Sequence, residues 1–221
     1  MEDLTKLAVD AAIAAGASYA DGRAVDRRRE RAQVKNGSVE ALSDRRSRGV
    51  GVRVIADGAW GFAACAELSE GALRDAAGRA VELARAAATT MDEPVKLADV
   101  EPVVGSDATE MEIDPADVPL DDRIALLMEC DRLMRAEDVE VASASVNVLR
   151  TTKHFTSSEG ASIGQERVEI GGGLEATAVG ECGACRRSYP SSHGGQNMTR
   201  GWELIDELDL TSHAQRTAAE A

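Results

Sequence analysis

The same order of signals occurs twice along this chain of 221 residues. A helix-like segment leads into hairpin and strand signals broken by glycine, a closing helix follows, and the order recurs from about Pro119. The first copy carries Lys35-Asn36-Gly37-Ser38-Val39-Glu40, then Arg48-Gly49-Val50-Gly51-Val52-Arg53-Val54, then Asp57-Gly58-Ala59-Trp60-Gly61-Phe62. The second carries Ser157-Ser158-Glu159-Gly160-Ala161-Ser162-Ile163, then Val168 to Val179, then Glu181 to Tyr189. Such a duplication predicts an α+β fold made of a repeated helix, antiparallel β-meander, helix unit. The expected division is 1–92 for the first repeat, 93–118 for a linker or crossing, and 119–221 for the second. Neither copy concentrates the residue types that catalysis needs, so the repeat points to a scaffold with a shared sheet or groove.

Local chemistry places the elements. Leu4, Leu7, Ala8, Ala11 and Ala15 fall on one helical stripe and Gly16 suits its stop. Tyr19 to Val34 suits a long strand pair. Asn36-Gly37 and Asp57-Gly58 are hairpin turns, which predicts a meander of four or five strands. Ser69 can cap a helix with Leu73, Ala76, Ala77, Ala80 and Ala84 on its apolar face, ending near Thr89-Thr90. Pro94, Pro102, Pro115 and Pro119, set among many acids, predict a surface crossing. A helix then starts at Asp121 or Asp122 with Leu120, Ile124, Leu127, Cys130 and Met134 on its buried side. Val139 to Val148 alternates as a half-buried strand does, and strands continue to about Tyr189. Gly194-Gly195 and Gly201 break a loop before Leu204 to Ala221 turns helical. That last pattern has no stop signal, so the chain is expected to be cut off rather than finished.

A formal net charge of −14 opposes nucleic-acid phosphates, and no apolar run approaches the roughly 20 residues that span a bilayer. Nucleic acid and membrane are therefore not the expected partners. The acidic start Met1-Glu2-Asp3-Leu4 lacks the form of a secretory signal, and the 4 cysteines make no disulfide framework. Both point to the cytoplasm.

The candidate chemistry is thin. Cys182-Gly183-Ala184-Cys185 has metal or redox spacing, but a zinc site needs about two more ligands, and Cys65, Cys130, His154, His193 and His213 show no partner spacing. Ser191-Ser192-His193 sets a hydroxyl beside an imidazole without an acid to orient it, which reads as a polar loop. Gly171-Gly172-Gly173 lacks the Lys-Ser/Thr of a phosphate loop and reads as a bulge or open edge in a strand. Arg27, Arg28, Arg29, Arg31, Arg45, Arg46 and Arg48 read as a solvated strand face, with an acidic partner surface as the alternative. Arg186-Arg187-Ser188-Tyr189 beside the glycine loop can line a peptide groove, with Arg187, Tyr189, Gly194 and Gly195 as its lining and a strand edge giving main-chain hydrogen bonds. No catalytic and no metal residue is assigned.

At these residues the chain resembles the TldD/PmbA family of zinc metallopeptidases, once described as modulators of DNA gyrase. The resemblance rests on Tyr19-Ala20-Asp21, Lys35-Asn36-Gly37, Arg48 to Arg53, Gly58 to Ala63, and Arg186 to Pro190 with Gly194-Gly195, and the Arg-Arg-Ser-Tyr segment is closest to the TldD-type subunit. It implies an N-terminal α+β domain that walls a peptide channel and joins a homo- or heterodimer with a TldD/PmbA-type subunit. It also implies a C-terminal domain in which His-Glu-x-x-x-His and a distant Cys hold zinc. No His-Glu pair occurs here, so this chain is expected to carry no cofactor and to be non-catalytic alone, with zinc and peptide substrate belonging to the full-length protein. The alternative is a stand-alone interaction module, binding a partner subunit or acting as a gyrase- or DNA-related regulator.

Overall fold

The computed structural model describes residues 1–135, 139–181, 183–192 and 195–221. The first copy contains α1 (Glu2–Ala14), β1 (Tyr19–Lys35), β2 (Ser38–Ala56), β3 (Ala59–Cys65) and α2 (Glu70–Ala88). The second contains α3 (Leu120–Met134), β5 (Val139–Ser157), β6 (Ser162–Gly180), β7 (Gly183–Tyr189), β8 (Gln196–Met198), α4 (Glu203–Leu208) and α5 (Leu210–Ala219). Each copy thus runs helix, two long strands, a short strand and a closing helical segment, with strand lengths of 17, 19 and 7 residues answered by 19, 19 and 7, and the second copy adds the short β8 and a second closing helix. The α+β fold with a duplicated unit holds.

Turn chemistry explains the long arms. Asn36 and Gly37 have φ of 49° and 77°, and Asp57 and Gly58 have φ of 51° and 82°, the paired left-handed residues of a tight hairpin whose twist matches its strands. Three details differ from expectation. Tyr19–Lys35 is one strand rather than a strand pair, so the first copy has three strands and not four or five. The interval 93–118 is not only a crossing: it holds β4 (Val104–Ala108), parallel to β6, and a 3-10 turn at Pro115–Asp117. Leu120 is exposed, and the buried stripe of α3 is Arg123, Leu127, Cys130, Asp131 and Met134.

The strand order is β3-β2-β1-β5-β6-β4, with β7 and β8 also on β6. Two compact units share these strands. One comprises 1–27, 46–108 and 151–166, the other 28–45, 109–150 and 167–221. The repeats and the compact units are therefore different partitions of the chain, because β1, β2, β5 and β6 each run through both units. The first unit buries Ala8 and Ala12 of α1 and Ala77, Ala80 and Ala84 of α2 against Val50, Val52 and Val54. Ser69 caps α2 as expected, its hydroxyl accepting the Ala72 N–H at 3.3 Å. The second unit buries Leu127 and Met134 of α3, Ile170 and Leu174 of β6, and Trp202, Ile205 and Leu210.

Candidate functional site

The expected groove residues lie in the second unit. β7 is antiparallel to β6, with Tyr189 opposite Leu174 and Arg187 opposite Ala176. Arg186 pairs with Glu175, and Arg187 is exposed. Tyr189, two residues further on, stands on the same face of β7 as Arg187. Its ring stacks on His213 at 3.9 Å and its hydroxyl donates to the Leu208 carbonyl at 3.0 Å, so it anchors β7 to the closing helices. Gly195, at φ 154°, has its carbonyl bound by the Ser191 hydroxyl at 2.6 Å. Gly194 and His193 lie outside the described residues, as does Cys182.

The run Gly171-Gly172-Gly173 is not an open edge. β8 crosses it in antiparallel register, and a Cβ on Gly171 would stand 2.0 Å from Asn197 Oδ1 and 2.3 Å from the Gln196 carbonyl. The glycine is required by close backbone approach. The arginine group is a solvated strand face threaded with ion pairs: Arg28 grips Asp44 through two bonds of 3.0 and 2.8 Å, and Arg46 bonds Asp26.

A second feature was missed in the sequence. Where α3 begins, the second unit has a pocket of about 550 Å³ floored by Ala32, Val146 and Val148 and walled by Leu42 and Leu120, within the size range of ligand-holding clefts. Its geometry follows from Arg123, 7% exposed, which turns back from the first turn of α3. Its Nε donates to the Val118 carbonyl at 3.0 Å, its Nη2 donates to the Pro115 carbonyl, and Nη1 is 3.8 Å from Glu30. The guanidinium also lies 5.6 Å from the Trp202 ring centroid. A buried cation persists only when its donors are so occupied. At the rim, the Arg28 hydrogen bond holds the Asp44 carboxyl below its ordinary range. The signal was present: Arg123 stands on one helical stripe with Leu127, Cys130 and Met134, where a charge is out of place. The pocket offers an apolar floor and a charged rim.

Two buried carboxylates brace the surroundings. Asp131 Oδ2 accepts the Gly37 N–H at 2.8 Å and Arg135 at 3.0 Å, tying the first hairpin tip to α3. Burial alone would raise the Glu203 pKa, but the N–H groups of Gly201 and Ile113, at 2.8 and 3.1 Å, outweigh it and hold the carboxyl below its ordinary range.

The sequence matches the PmbA/TldA metallopeptidase domain 1 over residues 20–84 and the PmbA/TldA metallopeptidase central domain over residues 113–221. The chain belongs to the TldD/PmbA family. Among curated relatives, a metalloprotease of Methanothermobacter thermautotrophicus is 26% identical over 92% of this chain and 42% of its own length. A metalloprotease of Methanocaldococcus jannaschii is 24% identical over 59% of this chain and 29% of its own length. The chain thus spans less than half the length of these curated relatives. Solved structures share its fold. A Bacteroides thetaiotaomicron protein named for modulation of DNA gyrase superposes with a TM-score of 0.76 at 15% identity, over 98% of this chain and 48% of that one. TldE of Thermococcus kodakarensis gives 0.73 at 15% identity, over 99% of this chain and 46% of its own.

The family is one of metallopeptidases. Among the described residues no three His, Cys, Asp or Glu side chains gather as ligands. His154 is taken by hydroxyls, with Nδ1 3.0 Å from Thr5 Oγ1 and Nε2 3.5 Å from Ser162 Oγ. His213 lies under Tyr189, its Nδ1 3.1 Å from the Asp209 carbonyl. Burial pushes the Cys130 thiol up to about 12, which leaves it inert. These donors do not fit zinc. No helix is long and apolar enough to cross a membrane among the described residues.

Proposed function

We propose that this chain is the N-terminal, peptide-channel and dimerisation part of a TldD/PmbA-type zinc metallopeptidase of the cytoplasm, acting on peptides or unfolded proteins. Zinc ligation and hydrolysis fall to residues outside this chain, which by itself is non-catalytic. One observation carries the reading. The two family domains it matches occupy most of its length, while His154 and His213 are engaged in hydroxyl and stacking contacts. Hydrolysis by zinc needs ligands that hold the ion and a group that handles the proton of its water. Arg187, Tyr189, Gly194 and Gly195 are the proposed channel lining, and a TldD/PmbA-type subunit, of the same or a different chain, is the proposed partner.

Zinc analysis and a peptidase assay on the purified chain test this. The expected result is less than one tightly bound zinc per molecule and no cleavage with any added metal. Fusion to the C-terminal segment of a relative should restore cleavage, because walls position a peptide while the metal does the chemistry. Stoichiometric zinc that is lost on changing Cys182 and Cys185 to Ser, or hydrolysis by the chain alone, would overturn the reading. Binding to gyrase or DNA with no gain of activity in the fusion would favour the stand-alone module.

A further inference from the structure

The pocket at the start of α3 has a wall on which one donor and one acceptor are left unused. Arg123 is 93% buried, and its Nε and Nη2 donate to the Val118 and Pro115 carbonyls. Its Nη1 makes no hydrogen bond among the described residues. Glu30 Oε2 lies 3.8 Å from it, beyond hydrogen-bonding reach, and accepts no hydrogen bond there either. Glu30 is nevertheless held in place, because Arg28 Nη2 stands 3.1 Å from its other oxygen and is itself fixed by Asp44. Both Arg123 and Glu30 line the pocket, above the apolar floor of Ala32, Val146 and Val148. Arg28, Arg31 and Arg123 stand against Glu30 and Asp44 in that lining, so its charge is close to balanced. What the wall asks for is a neutral group that accepts and donates from adjacent atoms. In a primary carboxamide the oxygen and nitrogen are about 2.2 Å apart, by ordinary C=O and C–N lengths. Hydrogen bonds of about 2.9 Å from those two atoms reach partners 3.8 Å apart with little bending. A carboxylate would set an oxygen against Glu30, and an ammonium would set its hydrogens against Arg123.

We propose that this pocket binds a primary carboxamide on an aliphatic body, the amide oxygen accepting from Arg123 Nη1, the amide nitrogen donating to Glu30 Oε2, and the alkyl chain lying on Ala32, Val146 and Val148. The volume of about 550 Å³ has room for such a body. A small aliphatic amide and the glutamine side chain of a peptide both carry this chemistry. The site needs no zinc and stands whether or not the chain serves a peptidase.

The probes are hexanamide, hexanoate and hexylammonium, titrated into the 221-residue chain by calorimetry. They share a tail and differ in the head group. Hexanamide should bind at least about tenfold more tightly than either charged analogue, because each of those sets a like charge against one wall group and leaves it without a partner. A peptide arm separates the two sources. Tighter binding of acetyl-Leu-Gln-Leu-N-methylamide than of its Met counterpart assigns the site to a peptide side chain, whereas equal binding of those two beside tight hexanamide assigns it to a small amide. Glu30→Gln should bring hexanoate level with hexanamide or past it, a change of preference that a merely structural role for Glu30 would not produce. Leu42→Ser, on the exposed wall, should weaken all three probes by a similar factor and tests the pocket should Glu30→Gln fail to fold. Equal binding of the three head groups, tighter binding of hexanoate by the parent chain, or no binding would overturn the site. So would an amide preference that survives Glu30→Gln, or affinities unmoved by Leu42→Ser. None of these results touches the zinc and peptidase assays, which decide the wider function separately.

Discussion

The two compact units reach one architecture by opposite means. In the first, helices approach the strands through alanine and glycine: a Cβ on Gly61 would stand 2.0 Å from the Ala80 carbonyl and 2.7 Å from the Ala84 nitrogen. In the second, the same kind of space is filled by Leu127, Met134, Ile170, Leu174, Trp202 and Ile205. Close approach gives backbone van der Waals contact at little cost in side-chain entropy, but it leaves no tolerance for added atoms. A thick core tolerates shape changes better and is hurt by removal. The pocket beside Arg123 lies in the second kind of core, where an apolar floor can be left uncovered without bringing backbone into contact.

This contrast can be broken from both sides. Gly61→Val should have the largest effect, about 4 kcal/mol or more, because α2 itself must move away. Chemical denaturation would register it, and an unchanged midpoint would mean that the helix sits farther from β3. Leu127→Ala removes volume from a fully buried site in the other unit and should cost about 3 kcal/mol. The same measurement, with a small hydrophobic solute added to fill the cavity, should recover part of that loss in Leu127→Ala and none in Gly61→Val.

The smallest effect is set by pH. Glu203 is held below its ordinary range in the folded chain, so its contribution to stability is present above the unfolded value of about 4.3 and disappears as pH falls through the lower folded value. Glu203→Gln should therefore destabilise by about 1–2 kcal/mol at neutral pH, and the gap to the parent chain should narrow on acidification through that window. A gap that stays constant down to acid would show that shape, and not charge, is what Gly201 and Ile113 require.

Much of this was legible where chemistry is local. The turns at Asn36-Gly37 and Asp57-Gly58, the Ser69 cap and the alternation from Val139 to Val148 each depend on residues a few positions apart. The family resemblance extended that reading to the fold. What escaped depends on partners distant in the chain. Asp131 meets Gly37, Glu203 meets Ile113, and β8 lands on Gly171, and no periodicity announces such pairs. Interleaving of the units escaped too, since strands of 17 to 19 residues look alike whether one body or two lie along them. The pocket needed Arg123 to be read as an intruder in an apolar stripe.

The first hairpin tip has a further consequence for the chemical lifetime of the protein. Asn-Gly is the dipeptide most prone to spontaneous deamidation, because the glycine nitrogen can attack the asparagine side-chain carbon and expel ammonia through a cyclic imide. Here that nitrogen donates its hydrogen to Asp131 at 2.8 Å, while the Asn36 amide is fixed at both ends, Nδ2 on the Glu140 carbonyl and Oδ1 on the Ala142 N–H. Attack would require the turn to let go of all three. The native chain thus ages slowly at a position where its unfolded form would age fast.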